Sequence, residues 1–204
     1  MLHKARTLFV SDVHLGTPSS QAAHLLRLLD EVSVDQLVLV GDIIDLTSMQ
    51  ARAWWHPLHT ACVQRVLKLA REGTKVVYVP GNHDAELRQH VGCEIQGVRI
   101  ERTVDYRALD GSIYRVAHGD EFDRTGKGHA PWIEALGESL YEVITWMNRV
   151  YNQARCSFDL EYHPVSLDIK KRVRRAMAFI EAFENRVIEG TKPLPVDGYI
   201  GGHI

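Results

Sequence analysis

The chain has 204 residues, a length that favours one large domain over two small ones. Hydrophobic residues make up 45% of it, enough for a sizeable buried core. The chain has 24 basic and 26 acidic side chains and a formal net charge of −2. It therefore lacks the strong basic excess that is typical of proteins that bind duplex DNA. We therefore expect no nucleic-acid partner.

The three cysteines, Cys62, Cys93 and Cys156, are widely separated and odd in number. This spacing indicates free thiols in a reducing compartment and argues against a disulfide framework or a zinc knuckle. The apolar run Thr7–Val10 near the start is too short for a signal peptide or a membrane span. We expect a cytoplasmic protein.

Apolar β-branched runs alternate with helical periodicity over the first eighty residues. The predicted elements, in chain order, are a strand at Thr7–Val10, a helix capped by Ser19 or Ser20, a strand at Gln36–Val40, a helix at about His56–Glu72 and a strand at Lys75–Val79. This alternation predicts a parallel sheet with right-handed crossovers.

Short strands and then a long helical stretch follow. Strands are predicted at Val98–Ile100, Val104–Leu109 and Ile113–Ala117, and Asp110-Gly111 predicts a hairpin between the last two. Residues 131–189 have helical periodicity, and Tyr199–Ile200 predicts a final strand. We expect one domain over residues 1–204 that contains a helical insertion or lid at 130–190.

Metal-capable side chains follow five of the predicted strands. They are Asp12 and His14, Asp42, the run Asn82, His83 and Asp84, His118, and His203. Loops at the carboxyl ends of strands in an open α/β sheet line one crevice, so these groups can converge. Carboxylate, imidazole and amide oxygen ligands together suit manganese, iron or zinc. One carboxylate, most naturally Asp42, can give an oxygen to each of two ions.

Each motif alone has a simpler interpretation. Gly-Asp after a strand is common as a turn or a helix cap, and a single buried histidine such as His118 is more often structural. Asn-His after Gly81 has no obvious packing use. All five motifs in this order after predicted strands favour a metal site over five separate structural roles.

In this order the motifs resemble the calcineurin-like metallophosphoesterase superfamily, whose signature is D-x-H, GD-x-x-D, GNHD/E, H-G and GH-x-H. The matches span essentially the whole chain. The resemblance implies an α/β fold, a four-layered α/β/β/α sandwich, where the pattern by itself suggests a doubly wound sheet. It also implies a metal-dependent phosphohydrolase in which two divalent ions, manganese in preference to iron or zinc, activate the attacking water.

The resemblance implies a role for each motif residue. It places Asp12, His14 and the shared Asp42 at the first metal, and Asp42, Asn82, His118 and His203 at the second. His83 would contact the phosphoryl oxygen or protonate the leaving group, and Asp84 would orient His83. Asp45 either orients a ligand or is a satisfied turn residue, and both interpretations stay open.

Ser11 to Gly16 and the helical insertion resemble the branch of UDP-2,3-diacylglucosamine diphosphatases, which cleave a pyrophosphate in lipid A biosynthesis. That branch implies a nucleotide-lipid substrate beside the broader expectation of a phosphorylated small molecule. The best-characterised members of the branch carry arginine at the position of His83, a departure that bears on the lipid and not on phosphoester hydrolysis. Alternatives are a soluble phosphodiesterase or phosphoprotein phosphatase, and a non-catalytic phosphate- or membrane-binding module.

A basic, amphipathic helix lies inside the predicted insertion, with Lys170, Lys171 and Arg172 among its charges. Such a helix can contact the inner face of a membrane peripherally, here through 165–188, or cover a lipid. The commoner interpretation is a core-facing stripe with a solvated back. The last motif stops at His203-Ile204, without the second histidine of GH-x-H, so we expect a C-terminally truncated chain with a weakened first metal site.

Overall fold

The structure, a computed structural model, describes residues 3–122 and 180–203. The chain divides into two compact units, Met1–Phe122 with Asn185–Ile204, and Asp123–Glu184. Most of the expected insertion at 130–190 and of the expected membrane contact at 165–188 lies outside the described residues, so both stay predictions. Within the part of the chain that the structure describes, no helix is long and apolar enough to span a membrane.

The described residues form eight strands and three named α-helices. They are β1 (His3–Val10), α1 (Ala22–Glu31), β2 (Val32–Val40), α2 (Leu46–Ala51), α3 (Pro57–Arg71), β3 (Lys75–Val79), β4 (Glu94–Ile95), β5 (Val98–Ile100), β6 (Val104–Arg107), β7 (Ile113–Val116) and β8 (Gly198–Ile200). Short 3-10 helices occupy Ala85–His90 and Asp120–Phe122, and residues 180–191 are helical.

The first sheet has five strands in the order β1-β2-β3-β5-β4. β1, β2 and β3 are parallel, as predicted, and β5 adds a fourth parallel strand beside β3. β4 is antiparallel to β5. In the register, Val10 lies beside Leu39 and Val40 beside Val79. These three strands therefore end at one edge, and the loops that follow them start side by side.

The second sheet has the order β6-β7-β8. The predicted hairpin is confirmed: β6 and β7 are antiparallel, and Gly111 in the turn has a φ of 94°. β7 and β8 are parallel, with Val116 beside Ile200. The segments after β7 and β8 consequently leave the second sheet together.

Alternation of side chains along β2 builds two apolar layers. Leu37 and Leu39 pack in the cluster that includes α1 and α3, whereas Val38 and Val40 pack in the cluster that includes Val116 of the second sheet. A strand with period-2 alternation presents successive side chains to opposite faces, so β2 is buried on both. The described residues thus form helix, sheet and sheet layers, which corrects the simple doubly wound sheet that the pattern suggested.

Helix α1 begins at a residue other than the predicted caps, and helix α2 was not among the predicted elements. Gln21, not Ser19 or Ser20, is the N-cap of α1 and makes no side-chain cap bond, while the hydroxyl of Ser20 donates to the carbonyl of Val13 at 2.8 Å. Helix α2 was not predicted, because six residues are too few to show a helical period. Its N-cap is Asp45, which accepts from the backbone N–H of Ser48 at 2.7 Å.

Candidate metal centre

Four of the predicted metal ligands have left-handed backbone conformations. Their φ angles are 54° for Asp12, 51° for His14, 54° for Asp42 and 60° for His203. Such conformations of non-glycine residues cost of order 1–3 kcal/mol each and cluster at functional sites. β1, β2 and β8 are therefore each followed by a sharp turn at a residue that carries a candidate ligand.

Glycines beside these residues allow the loops to approach one another closely. A Cβ atom at Gly41 would lie 2.2 Å from Nδ1 of His118, and one at Gly81 would lie 2.3 Å from Oδ1 of Asp42. These distances are far inside van der Waals contact, so a larger residue would push the candidate ligands apart.

Two groups of candidate ligand atoms meet at Asp42. In the first, ligand atoms of Asp12, His14 and Asp42 lie within 4.8 Å of one another, and in the second those of Asp42, His118 and His203 do so. The amide oxygen of Asn82 is 3.2 Å from Nε2 of His118. The structure thus brings the six predicted ligands together, and their metal-binding role stays a prediction.

The imidazole of His118 lies between three oxygen atoms. Its Nδ1 is 3.0 Å from the carbonyl oxygen of Val40, and its Nε2 is 3.2 Å from Oδ2 of Asp42 and from the oxygen of Asn82. Burial lowers the pKa of His118, but the hydrogen bond and charge of Asp42 outweigh burial and raise that pKa to about 9. These oxygens favour a positive charge, which makes the donor set suitable for a cation.

The carboxylate of Asp42 is placed to be shared. Its Oδ2 lies 3.2 Å from Nε2 of His118 and 4.0 Å from Nε2 of His14, and its Oδ1 accepts from the backbone N–H of His83 at 2.8 Å. Burial raises the pKa of Asp42, but the hydrogen bonds and the charge of His118 lower it overall. Asp42 is therefore ionised at neutral pH and lies between the two groups of ligands.

Ser11 belongs to the site although sequence reasoning missed it. Its hydroxyl lies beside Oδ2 of Asp12 and 2.8 Å from the carbonyl oxygen of Val40, and its single proton can serve one acceptor at a time. The backbone N–H of His203 also donates to Oδ2 of Asp12 at 3.3 Å. The position of Ser11 directly before Asp12 was the available signal.

Asp45 fulfils both roles left open from the sequence. Its Oδ1 caps α2 through Ser48, and its buried Oδ2 lies 3.0 Å from Nδ1 of His14 and 3.0 Å from Nδ1 of His83. The two imidazole rings meet edge to face with centroids 4.8 Å apart. One carboxylate therefore positions a candidate metal ligand and the candidate acid together.

Asp84 differs from its predicted role as the residue that orients His83. Its Oδ1 accepts from the N–H of Gly81 at 2.5 Å, and its Oδ2 accepts from the N–H of Ile43 at 3.0 Å and from the hydroxyl of Tyr78 at 2.5 Å. The side chain is fully buried. Three converging donors satisfy the carboxylate, so Asp84 holds the turn after β3 against the loop after β2.

Comparison with known proteins identifies the family. The sequence matches the calcineurin-like phosphoesterase profile over residues 5–204. The chain belongs to the calcineurin-like phosphoesterase family. This match confirms the family and the α/β fold class expected from the motifs, and the family is one of metal-dependent phosphoester hydrolases.

This calcineurin-like phosphoesterase is similar to a bacterial hydrolase and to a nuclease of known structure. It is 26% identical over 137 residues to a UDP-2,3-diacylglucosamine hydrolase of Porphyromonas gingivalis (strain ATCC BAA-308 / W83), an alignment that covers 61% of this chain and 49% of that protein. The crystal structure of Pseudomonas putida nuclease MPE is similar at 26% identity with a TM-score of 0.30, covering 51% of this chain and 50% of that one. The chain thus spans about half the length of each relative.

Proposed function

We propose that this phosphoesterase hydrolyses a phosphodiester or pyrophosphate bond at a dinuclear metal centre. The observation that carries the proposal is the meeting of two ligand groups at the buried carboxylate of Asp42. When bound, two divalent ions supply Lewis-acid activation of the attacking water and stabilise charge on the phosphoryl oxygens.

The ligand groups divide naturally between two ions. Asp12, His14 and Asp42 would hold the first ion, and Asp42, Asn82, His118 and His203 would hold the second. Carboxylate, imidazole and amide oxygen donors together support manganese, with iron and zinc as alternatives. Because Asp42 contributes to both groups, its removal is the sharpest test of the centre.

His83 is the proposed general acid. Its backbone N–H is fixed by Asp42 at 2.8 Å, and its partly exposed side chain can reach a substrate. When Nδ1 carries a proton toward Oδ2 of Asp45, 3.0 Å away, Nε2 is the nitrogen that can exchange a proton with the leaving group. Donation to the leaving group takes a second proton, on Nε2, and Asp45 would orient the ring that carries both.

A UDP-linked lipid similar to UDP-2,3-diacylglucosamine is the proposed substrate, which would give the protein a role in lipid A biosynthesis. Support comes from the name of the Porphyromonas gingivalis relative. We extend the proposal to a cytoplasmic location, because Cys62 and Cys93 are free thiols in the described part of the chain. Residues 165–188 would supply a peripheral contact with the inner face of the membrane.

The test measures the rates at which the purified protein hydrolyses two substrates. With Mn²⁺ present we expect hydrolysis of bis-p-nitrophenyl phosphate and faster hydrolysis of detergent-solubilised UDP-diacylglucosamine. Asp42→Asn should abolish both, whereas Asp35→Asn, the same change at an exposed position near the start of β2, should abolish neither. Cleavage of bis-p-nitrophenyl phosphate alone would favour a soluble phosphodiesterase or phosphoprotein phosphatase. Metal binding without cleavage would indicate a non-catalytic module.

A further inference from the structure

Four aromatic side chains cluster between α2 and the first turn of α3. The ring centroids of Trp54 and Trp55 each lie 5.1 Å from that of His59, and Trp54 stacks on His56 at 6.1 Å with an interplanar angle of 24°. His59 is only 2% exposed, whereas Trp55 remains 39% exposed. Two tryptophans therefore surround a buried histidine and keep part of their ring surface open to solvent.

Hydrogen bonds fix the cluster in place. The indole N–H of Trp55 donates to the hydroxyl of Thr60 at 2.8 Å, and Nδ1 of His56 accepts from the backbone N–H of Leu58 at 3.2 Å. The indole N–H of Trp55 and Nδ1 of His56 are thus satisfied within the protein. The Trp55 ring is thus held in one orientation while 39% of the residue is exposed, and a ring fixed in this way needs little further ordering to bind a flat ligand.

The cluster is attached to the loop that carries the first group of candidate metal ligands. Nδ1 of His59 accepts from the backbone N–H of Gly16 at 3.1 Å. Gly16 follows His14 by two residues, a chain distance of at most about 7 Å. A Cβ atom at Gly16 would lie 2.7 Å from Sδ of Met49, so glycine lets the loop pack this closely. His59 thus links the aromatic cluster to the loop that carries His14.

We propose that Trp54 and Trp55 form a stacking platform for the base of a nucleoside phosphate whose phosphoryl group occupies the metal centre. The inference rests on the proposed function and names the chemical class that its substrate shares. Stacking of a base on an aromatic side chain contributes about 1–3 kcal/mol and tolerates different bases, because every base has a flat π-face. Trp55 is 39% exposed beside the anchored loop, which leaves it accessible to a base.

The decisive experiment compares ligands that differ only in the base. Calorimetry on the Mn²⁺-loaded protein measures the affinities for uridine 5′-monophosphate, adenosine 5′-monophosphate and ribose 5-phosphate. We expect both nucleotides to bind about tenfold more tightly than ribose 5-phosphate, a ratio equivalent to about 1.4 kcal/mol. The ratio should fall to about one in the Trp54→Ala/Trp55→Ala variant.

Two further variants keep the test independent of folding defects. Trp55→Phe retains a ring and should retain most of the preference for nucleotides. Leu58→Ala removes an exposed apolar side chain from the first turn of α3, without a ring, and should retain all of it. A nucleotide preference that survives in the double variant, or that is lost equally in Leu58→Ala, would overturn the platform.

A base-free substrate separates this inference from the proposed function. If the wild-type protein hydrolyses a glycerophosphodiester but binds nucleotides and ribose 5-phosphate equally, the platform is wrong and phosphodiester hydrolysis stands. If it neither binds these phosphates nor hydrolyses any phosphodiester, both proposals fail. Hydrolysis combined with a nucleotide preference that depends on Trp54 and Trp55 supports both.

Discussion

His83 and His118 are both imidazoles at the strand ends, yet their surroundings suit them to different tasks. His118 is buried among oxygen acceptors from Val40, Asp42 and Asn82, which is the environment of a ligand for a cation. His83 is partly exposed, and Asp45 lies 3.0 Å from its Nδ1. At the scale of single residues, exposure and the nature of the neighbouring oxygen atoms therefore separate His83 from His118.

Replacing His83 tests this distinction. His83→Ala should lower turnover by about a hundredfold or more, the usual contribution of a positioned acid, and leave metal content unchanged. Metal content is measured by elemental analysis and turnover with bis-p-nitrophenyl phosphate. The control is His90→Ala, the same change at an exposed position in the following 3-10 segment, which should leave both turnover and metal content unchanged. Loss of a metal ion from His83→Ala would assign His83 to coordination.

Metal binding should release a proton from His118. The pKa of His118 is raised to about 9, so the ring is protonated at pH 7.5 without metal, and a metal ligand must be neutral. Asp42, whose pKa is lowered, has no proton to lose. Affinity for Mn²⁺ should therefore rise about tenfold per pH unit between pH 6.5 and 8.

Calorimetric titration in two buffers of different ionisation enthalpy counts the protons released. We expect about one proton per second-site ion at pH 7.5 in the wild-type protein and a smaller number in His118→Gln. Equal proton counts in the two proteins would show that His118 is already neutral before the metal binds.

At the scale of secondary-structure elements, the site depends on where strands stop and how tightly their loops approach. β1, β2 and β3 end in register, and the turn after β3 is held by Asp84 through Gly81 and Ile43. The guanidinium of Arg88 donates to both carboxylate oxygens of Asp120, at 2.8 Å and 2.7 Å, which joins the segments after Asp84 and His118. These contacts position the loops relative to one another.

Gly81→Ala should uncouple the loops without unfolding the sheet. Its Cβ would meet Oδ1 of Asp42 at 2.3 Å and Cδ2 of His118 at 2.7 Å, so both candidate ligands must move. We expect metal affinity to fall at least tenfold. The control is Gly73→Ala: its added Cβ meets open space, and with a φ of 99° it should cost about 1–2 kcal/mol of stability and leave metal affinity unchanged. Full metal affinity in Gly81→Ala would contradict the close approach.

At the scale of the whole molecule, the described residues of the first unit are organised around β2 and β3, which are buried on both faces. Val77 and Val79 of β3 face the second sheet, and Val76 and Tyr78 face the helices. A strand enclosed in this way cannot shift its register by one residue without exchanging both layers. The same rigidity keeps the ends of β2 and β3, and hence Asp42 and Asn82, in fixed positions.

Truncating a buried side chain of β2 tests whether this strand forms the core. Leu37 is fully buried on the helix-facing side of β2, and Leu37→Ala should lower the free energy of unfolding by about 2–5 kcal/mol. The matched control, Leu109→Ala, removes the same atoms from a side chain that is 88% exposed and should change it by less than about 0.5 kcal/mol. Urea denaturation followed by circular dichroism compares the two, and equal midpoints would contradict the assigned core.

Local patterns in the sequence were sufficient for most of the elements and for naming the candidate ligands. Apolar β-branched runs predicted the cores of β1, β2 and β3, and Asp110-Gly111 predicted the hairpin, because these signals act between residues close in the chain. Motif order predicted the family, since ligands at strand ends converge in this fold whatever the loops between them.

Only the tertiary structure decided which partner each side chain has. Asp45 rather than Asp84 faces His83, and His59 ties the two tryptophans to Gly16, through contacts between residues more than thirty positions apart. Division of the strands into two packed sheets was likewise invisible to a periodicity argument, because strands buried on both faces have the same apolar pattern in a sandwich as in a doubly wound sheet. Spatial neighbours, not sequence neighbours, set the charge and the orientation of each group in the site.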